Sequence, residues 1–250
     1  MRPVQHLEGR PSAFVRKLRR DKLCRPCPCR TPVSSRIALV LALAVAAAAV
    51  APALAKEGAI QCANLVYGGV NTSRCFSDEF LSAVQRETTI ATERRFKSVK
   101  LDSDELFGYP FVLITGEADF FFSAKERENL KKYLESGGFL LASAGCSSKD
   151  WDRAFRREIA GLFGKDSLKK IAKDHPVFRT VHKIEEIKLT HPGEPAALEG
   201  LELDGKLVLI HSPHGLNDTT HTEGCCCCGG NEIANSLELN VNILVYALLH

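Results

Sequence analysis

The sequence is poor in methionine, in long apolar segments and, beyond its first 55 residues, in basic charge. Met1 is the only methionine, and one long apolar run occurs, at 37–50. Residues 1–55 hold ten of the 33 Lys and Arg but two of the 30 Asp and Glu, which leaves 23 basic and 28 acidic residues. Because a nucleic-acid-binding domain needs a basic surface, this balance argues against a nucleic-acid partner.

The N-terminal segment has the pattern of a secretory signal peptide. The apolar run at 37–50 is 14 residues long, too short for a spanning helix. It follows a basic stretch and ends in Ala53-Leu54-Ala55, an A-x-A cleavage pattern. We therefore expect export to the periplasm or the extracellular space, with no stable membrane span after cleavage. An uncleaved anchor and a translation start nearer Val33 are alternative hypotheses.

The chain is expected to divide into an N-terminal extension with signal peptide, 1–55, and a single domain, 56–250. The domain is long enough to bury one sizeable core, and it contains no repeat or linker. Seven cysteines remain in it, at 62, 75, 146 and 225–228. In an exported protein cysteines tend to form disulfides or bind metal, and an odd number leaves at least one unpaired in a monomer.

The middle of the domain predicts a strand, a helix and a second strand. Residues 111–115 are continuously apolar, as in a strand covered on both faces. Ser123 and Glu126 form a capping-box pattern at the start of a helix, and Gly137 suits the position after its end. Residues 139–142 then return as a strand, giving the length of a βαβ unit.

Weaker patterns predict the other elements. We expect strands at 63–67, 96–101 and 182–189, helices from Ser77, over 150–163 and over 231–249, and a hairpin around Asp204-Gly205. Alternating strands and helices of this kind predict an α/β sandwich around a mostly parallel sheet with an antiparallel addition.

The βαβ unit also predicts where a ligand would bind. Gly116, Glu117 and Asp119 follow its first strand, and Gly145 and Cys146 follow its second. Ligands of open α/β sheets bind outside the carboxyl ends of the strands, so these five residues form a candidate ligand-binding rim. The two acids are suited to binding a cation or to general acid–base chemistry. The alternative is a turn at Gly116 with solvated acids.

A polar loop near the C-terminus carries a candidate metal site. Its possible ligands are His214, His221, Cys225, Cys226, Cys227 and Cys228. Thiolates and imidazoles bind zinc or copper, which makes either ion a possible cofactor. Adjacent cysteine side chains diverge, however, whereas metal sites space cysteines two to four residues apart. Structural disulfides, with Cys62 or Cys75 as candidate partners, are therefore the other interpretation.

Several segments in this order resemble a bacterial family, domain of unknown function 4159. They are YPFVLITG at 109–116, GGFLLASAGC at 137–146, RAFRRE at 153–158, DHPVF at 174–178 and LNVNILVYAL at 239–248. That family looks like a distant member of the class I glutamine amidotransferase-like superfamily, beside the ThuA-like proteins. The resemblance implies a three-layer sandwich with a flavodoxin-like sheet and an exported bacterial context.

The resemblance makes Cys146 a candidate nucleophile. Amidotransferases of this superfamily place a cysteine on a strand-to-helix elbow in a G-x-C-x-G pattern, and here Ala144 and Ser148 replace both glycines. His221 and Glu223 have the form of the remaining triad members, but no strand precedes them. We therefore expect a non-catalytic domain that binds a small ligand or an envelope protein. The alternatives are a hydrolase using Cys146 and a metal-binding envelope protein.

Overall fold

Seven strands and four α-helices build the part of the chain described by a computed structural model, residues 58–69, 76–193, 195–217 and 232–250. The strands are β1 (Ala63–Val66), β2 (Lys97–Lys100), β3 (Phe111–Gly116), β4 (Phe139–Ala144), β5 (Lys169–Lys170), β6 (Glu199–Leu203) and β7 (Lys206–Ser212). The helices are α1 (Glu79–Glu87), α2 (Ala124–Glu135), α3 (Lys149–Phe163) and α4 (Ser236–Leu249). No helix among these residues is long and apolar enough to cross a membrane.

All seven strands form one sheet in the order β2-β1-β3-β4-β7-β6-β5. The five neighbouring strands from β2 to β7 in this order are parallel and follow the flavodoxin-like order. The strands β6 and β5 are added through antiparallel pairs. β3 and β4 are parallel neighbours from Phe111 beside Phe139 to Gly116 beside Ala144. The predicted α/β fold, mostly parallel sheet and antiparallel hairpin are therefore confirmed.

Helices cover both faces of the sheet and make three layers. Alternate residues of a strand point to opposite faces: Phe111 and Leu113 of β3 join a core with α1 and α4, whereas Val112 and Ile114 join a core with α2 and α3. All six residues of β3 are buried. This two-sided burial explains the continuously apolar sequence of β3.

Local signals that the sequence shows clearly have their expected structures. The Ser123 hydroxyl accepts from Glu126 N, and the Glu126 carboxylate accepts from Ser123 N, which completes the capping box at α2. Asp204 and Gly205 have φ of 50° and 75°, as in the type I′ turn that suits a tight hairpin. Both positions therefore define where an element starts or turns.

Several elements differ from the predictions in extent or in kind. Residues 182–189 form no strand apart from one bridge between Leu189 and Ile233, and the short edge strand β5 was not predicted. Helix α1 begins at Glu79 with Asp78 as its N-cap instead of Ser77. Helix α4 begins at Ser236, five residues after the predicted start at 231. The predicted signal peptide lies outside the described residues.

Candidate functional site at the carboxyl edge of the sheet

The turn between β4 and α3 is held in an unusual backbone conformation. Cys146 and Ser147 both lie in the left-handed region, with φ of 50° and 51°. Ser148 then caps α3 by accepting a hydrogen bond from Trp151 N. Left-handed conformations cost non-glycine residues energy and collect at functional sites. The turn after β4 therefore takes a left-handed conformation although Ala144 and Ser148 stand where the resemblance would place glycines.

The loops after β3 and β4 touch at this edge. A Cβ on Gly145 would lie 3.0 Å from the Gly116 carbonyl oxygen and 3.1 Å from Glu117 Cγ, so this close approach suits glycine. The Ser148 hydroxyl donates to the Glu117 carbonyl at 2.5 Å. Gly116, Glu117, Gly145 and half-buried Cys146 thus meet at one rim, which we call the β3–β4 rim.

Asp119 is directed to a different partner. Its Oδ1 lies 3.0 Å from Arg157 of α3, and the same guanidinium donates to the Phe120 carbonyl. The structure therefore uses Asp119 to attach the loop after β3 to helix α3. Among the described residues, Asp119 therefore has an ion-pair partner on α3, and no such pair is seen for Glu117.

Glu232 is a site residue that the sequence analysis missed. It precedes α4, yet its Oε1 lies 3.5 Å from the Ser147 hydroxyl, which also accepts a hydrogen bond from Gly215 N at 3.1 Å. A Cβ on Gly215 would lie only 1.7 Å from Glu232 Oε2. A glycine at 215 therefore lets the carboxyl group lie directly against the backbone after β7. No motif surrounds Glu232, so only the three-dimensional packing identifies it.

The surroundings of the Glu232 carboxyl favour its protonated form. Burial raises its pKa to about 7, and the nearby charge of Glu117 acts in the same direction. Hydrogen bonds from the Ser147 hydroxyl and the Asn217 backbone amide oppose that rise. The protonated form, which both donates and accepts hydrogen bonds, is thus well populated at neutral pH.

Glu232 and Asn217, whose backbone amide bonds the Glu232 carboxyl, both have buried polar atoms without a partner within the described residues. Among the described residues, Glu232 Oε2 and both side-chain polar atoms of Asn217 are buried without a hydrogen-bond partner. Nearby, Ser143 Oγ accepts from Leu216 N and Asn240 Nδ2 donates to Leu216 O, both at 2.9 Å, while Asn240 Oδ1 likewise has no partner among the described residues. Unpaired buried polar groups are costly and uncommon, so the Glu232–Asn217 pair has hydrogen-bonding capacity for a ligand.

The two described histidines of β7 and its following loop have different surroundings. His211 is fully buried, with Nδ1 3.2 Å from Glu199 Oε2 and Nε2 at ion-pair distance, 3.1 Å, from Asp152 Oδ1. Phe155 stacks on its ring at 5.0 Å, and Arg156 contacts both carboxylates. These contacts make His211 part of a structural ionic cluster. His214 is half-buried, and burial lowers its pKa.

The other predicted triad and metal residues lie outside the described part of the chain. They are His221, Glu223, Cys225, Cys226, Cys227 and Cys228. Within the described ranges, no group of three or more His, Cys, Asp and Glu is arranged to hold a metal ion. Cys62 is fully buried, and desolvation raises its thiol pKa to about 12. Cys75, the other cysteine considered for a disulfide with the run at 225–228, lies outside those ranges.

Comparison with known protein families identifies the family of this chain. A family model described as Domain of unknown function (DUF4159) matches residues 61–248, three quarters of the chain. The matched region contains the whole sheet, the β3–β4 rim and Glu232. The comparison with curated proteins found no match.

Proposed function

The chain belongs to the DUF4159 family, and on that premise we propose an exported, non-catalytic domain that binds a small ligand at the β3–β4 rim. The observation that carries the proposal is the buried Glu232 carboxyl, whose Oε2 lacks a partner within the described residues. The flavodoxin-like strand order also supports a place in the amidotransferase-like superfamily. It supports the position of the ligand as well, because sheets of this kind bind ligands at the carboxyl ends of their strands.

The chemistry of the site favours a neutral end group that carries both a donor and an acceptor. A protonated carboxyl donates through O–H and accepts through C=O, which complements the N–H and C=O of a primary amide. The Asn217 backbone amide bonds this carboxyl, and the unpaired Asn217 side chain has two N–H donors and an acceptor to offer. Glu117 supplies a negative charge that disfavours anions. We therefore propose that the ligand presents an amide-like group to Glu232.

Thermal unfolding with matched probes tests this proposal. At equal concentration, acetamide should raise the unfolding temperature of the full chain more than acetate does. The acetamide effect should be larger about one pH unit below 7 than about one pH unit above 7. Glu232→Gln keeps a donor and an acceptor, so the acetamide effect should persist but lose its pH dependence. Glu232→Leu should abolish it, whereas the exposed Glu128→Gln should change nothing. Equal effects of acetate, or binding by Glu232→Leu, would refute the proposal.

A second candidate is a hydrolase with Cys146 as its nucleophile, as the left-handed turn at Cys146 supports. Nucleophile elbows are strained turns between a strand and a helix, which expose the reacting atom. Iodoacetamide labelling of reduced protein, mapped by peptide mass spectrometry, tests this candidate. Cys146 should react rapidly at neutral pH, with Cys62 as the slow internal control. Equally slow labelling of both residues would count against catalysis.

Metal binding remains a third proposal, supported by the sequence pattern around His214 and Cys225–Cys228. Protein purified without chelator should then contain about one equivalent of zinc or copper and retain reduced thiols. Metal-free protein with all of these thiols oxidised would favour the disulfide interpretation.

A further inference from the structure

A large cavity lies at the opposite side of the fold from β2, away from the residues of the β3–β4 rim. Its volume is about 870 Å³, within the usual range for small-molecule sites. It is bordered by edge strand β5, the short 3-10 helix Pro176–Arg179 and the segment up to Leu198 that leads into β6. None of the rim residues lines it.

The inner wall of this cavity is apolar. Leu198, Phe178 and Ile171 are buried at its base. Ile187 and Leu189 are partly buried and pack against the same core. Such a wall accommodates an apolar body by removing its surface from water.

Among the described residues that line the cavity, lysines outnumber acids. Lys170, Lys173 and Lys188 line the cavity, and none of them forms an ion pair among the described residues. The lining acids are Glu185, which is neutralised by Lys183 at 2.8 Å, and Glu186. Among the described lining residues, three lysines without an ion pair therefore accompany one such carboxylate, a balance that favours an anionic group.

Hydrogen bonds fix the backbone of the wall. Asn235 Oδ1 accepts from Lys188 N at 2.9 Å, and Asn235 Nδ2 donates to Glu186 O at 3.0 Å. On the other side, Ile171 N donates to Leu198 O at 2.9 Å. A wall held in this way is largely preformed, so a ligand loses little binding energy in ordering it.

We propose that this cavity binds an amphipathic anion, a molecule with an aliphatic chain and one carboxylate. The chain lies against Phe178, Ile187 and Leu189, and the carboxylate lies among Lys170, Lys173 and Lys188. The site is separate from the β3–β4 rim, so this proposal does not depend on the function proposed for the rim.

Isothermal titration calorimetry of the full chain tests the proposal with two probes below their micelle concentrations. Dodecanoate should bind with one-to-one stoichiometry, and dodecyltrimethylammonium, which has the same chain with a cationic head, should not. Lys173→Gln with Lys188→Gln should weaken dodecanoate binding on the order of ten-fold. Lys97→Gln with Lys100→Gln on β2, at the other edge of the sheet, is the matched control and should leave binding unchanged.

Two further variants make the result decisive. Ala197→Phe, which fills the cavity, should remove dodecanoate binding while its circular dichroism spectrum stays that of the parent. Lys173→Glu with Lys188→Glu changes exposed side chains only, and should reverse the preference towards dodecyltrimethylammonium. Absence of dodecanoate binding, equal binding of both probes, or indifference to these charges would overturn the proposal.

Discussion

At the scale of single residues, the β3–β4 rim combines features that weaken a fold. Cys146 and Ser147 occupy a conformation that costs a non-glycine residue about 1–2 kcal/mol. Glu232 is 4% exposed and leaves one oxygen unpaired within the described residues. Energetically unfavourable groups persist where function requires them. The presence of several energetically unfavourable groups at the rim is therefore an argument for a site there.

The contact between Gly215 and Glu232 gives a prediction about stability. Gly215→Ala places a Cβ against Glu232 Oε2 and should lower the free energy of unfolding by about 1–3 kcal/mol. In a Glu232→Ala background the same change should cost much less, because the clashing carboxyl is gone. Urea denaturation of the four proteins in this cycle measures the difference. An equal cost in both backgrounds would show that the two residues do not touch.

The left-handed turn gives a second prediction. Cys146→Gly removes the Cβ that makes φ of 50° unfavourable, whereas Cys146→Ala removes the thiol but keeps the Cβ. The glycine variant should therefore be more stable than the alanine variant, by up to about 1 kcal/mol after its larger unfolded-state entropy is included. A more stable alanine variant, measured by chemical denaturation, would contradict a strained elbow.

At the scale of elements, the sequence predicts those that carry their own local signals. The buried strands β3 and β4, the capping box of α2 and the Asp204-Gly205 turn need no knowledge of the rest of the fold. The predicted strand at 182–189 is wrong because asparagine side chains replace a partner strand. Asn242 binds the backbone of 181 and 182, and Asn235 binds that of 186 and 188.

The sequence predicts the part of the candidate site that follows β3 and β4, but it does not predict Glu232. Gly116, Glu117, Gly145 and Cys146 follow strands that the pattern of apolar residues identifies, so their meeting can be deduced from a parallel sheet. Glu232 reaches the rim through long-range pairing, in which Ile233 N donates to Gly215 O and Thr190 N donates to Glu232 O. Such pairing leaves no periodic signal in the sequence.

The ionic cluster that joins α3, β6 and β7 predicts sensitivity to acid. Burial alone would raise the pKa of Asp152, but contacts with His211 and Arg156 hold it below its usual value. Contact with His211, followed by Arg156, likewise lowers the pKa of Glu199 despite burial. A depressed folded-state pKa contributes stability above the unfolded pKa of about 4, and this contribution is lost as pH falls through the folded-state value.

Asp152→Asn tests that cluster. It should lower the free energy of unfolding at neutral pH by about 1–3 kcal/mol, because it leaves His211 without one of its charged partners. The loss of stability below pH about 4 should also become shallower. Asp150→Asn, at an exposed ion pair in the same turn of α3, is the control and should change stability little. Identical pH profiles for parent and Asp152→Asn would contradict the assignment.

At the scale of the whole molecule, the two proposed sites share a support. Residues 188–190 form one wall of the cavity beside β5, and they pair with residues 232–234. This pairing places Glu232 at the β3–β4 rim. Both edges of the sheet are strands that contain lysine, β2 and β5, and lysine discourages edge-to-edge pairing with other chains. This arrangement suits a domain that presents binding sites at loops and keeps its sheet edges unassociated.

Export is the prediction that concerns the whole chain. If the A-x-A pattern directs cleavage, the N-terminus of the protein recovered from the periplasm or medium should be Lys56. Ala55→Arg should block cleavage and leave a larger, membrane-retained precursor. Edman sequencing and intact mass distinguish the two forms. A full-length chain in the cytoplasm would contradict the export assignment.

The most direct test of the rim is a carbon-13 NMR titration of the Glu232 carboxyl, with and without acetamide. The carboxyl should titrate near pH 7 in the free protein. Acetamide should shift this titration to higher pH, because the ligand binds the protonated form. Glu232→Gln identifies the signal by removing it. Titration near the ordinary value for glutamate, or a value unmoved by saturating acetamide, would contradict the claim that this carboxyl receives the ligand.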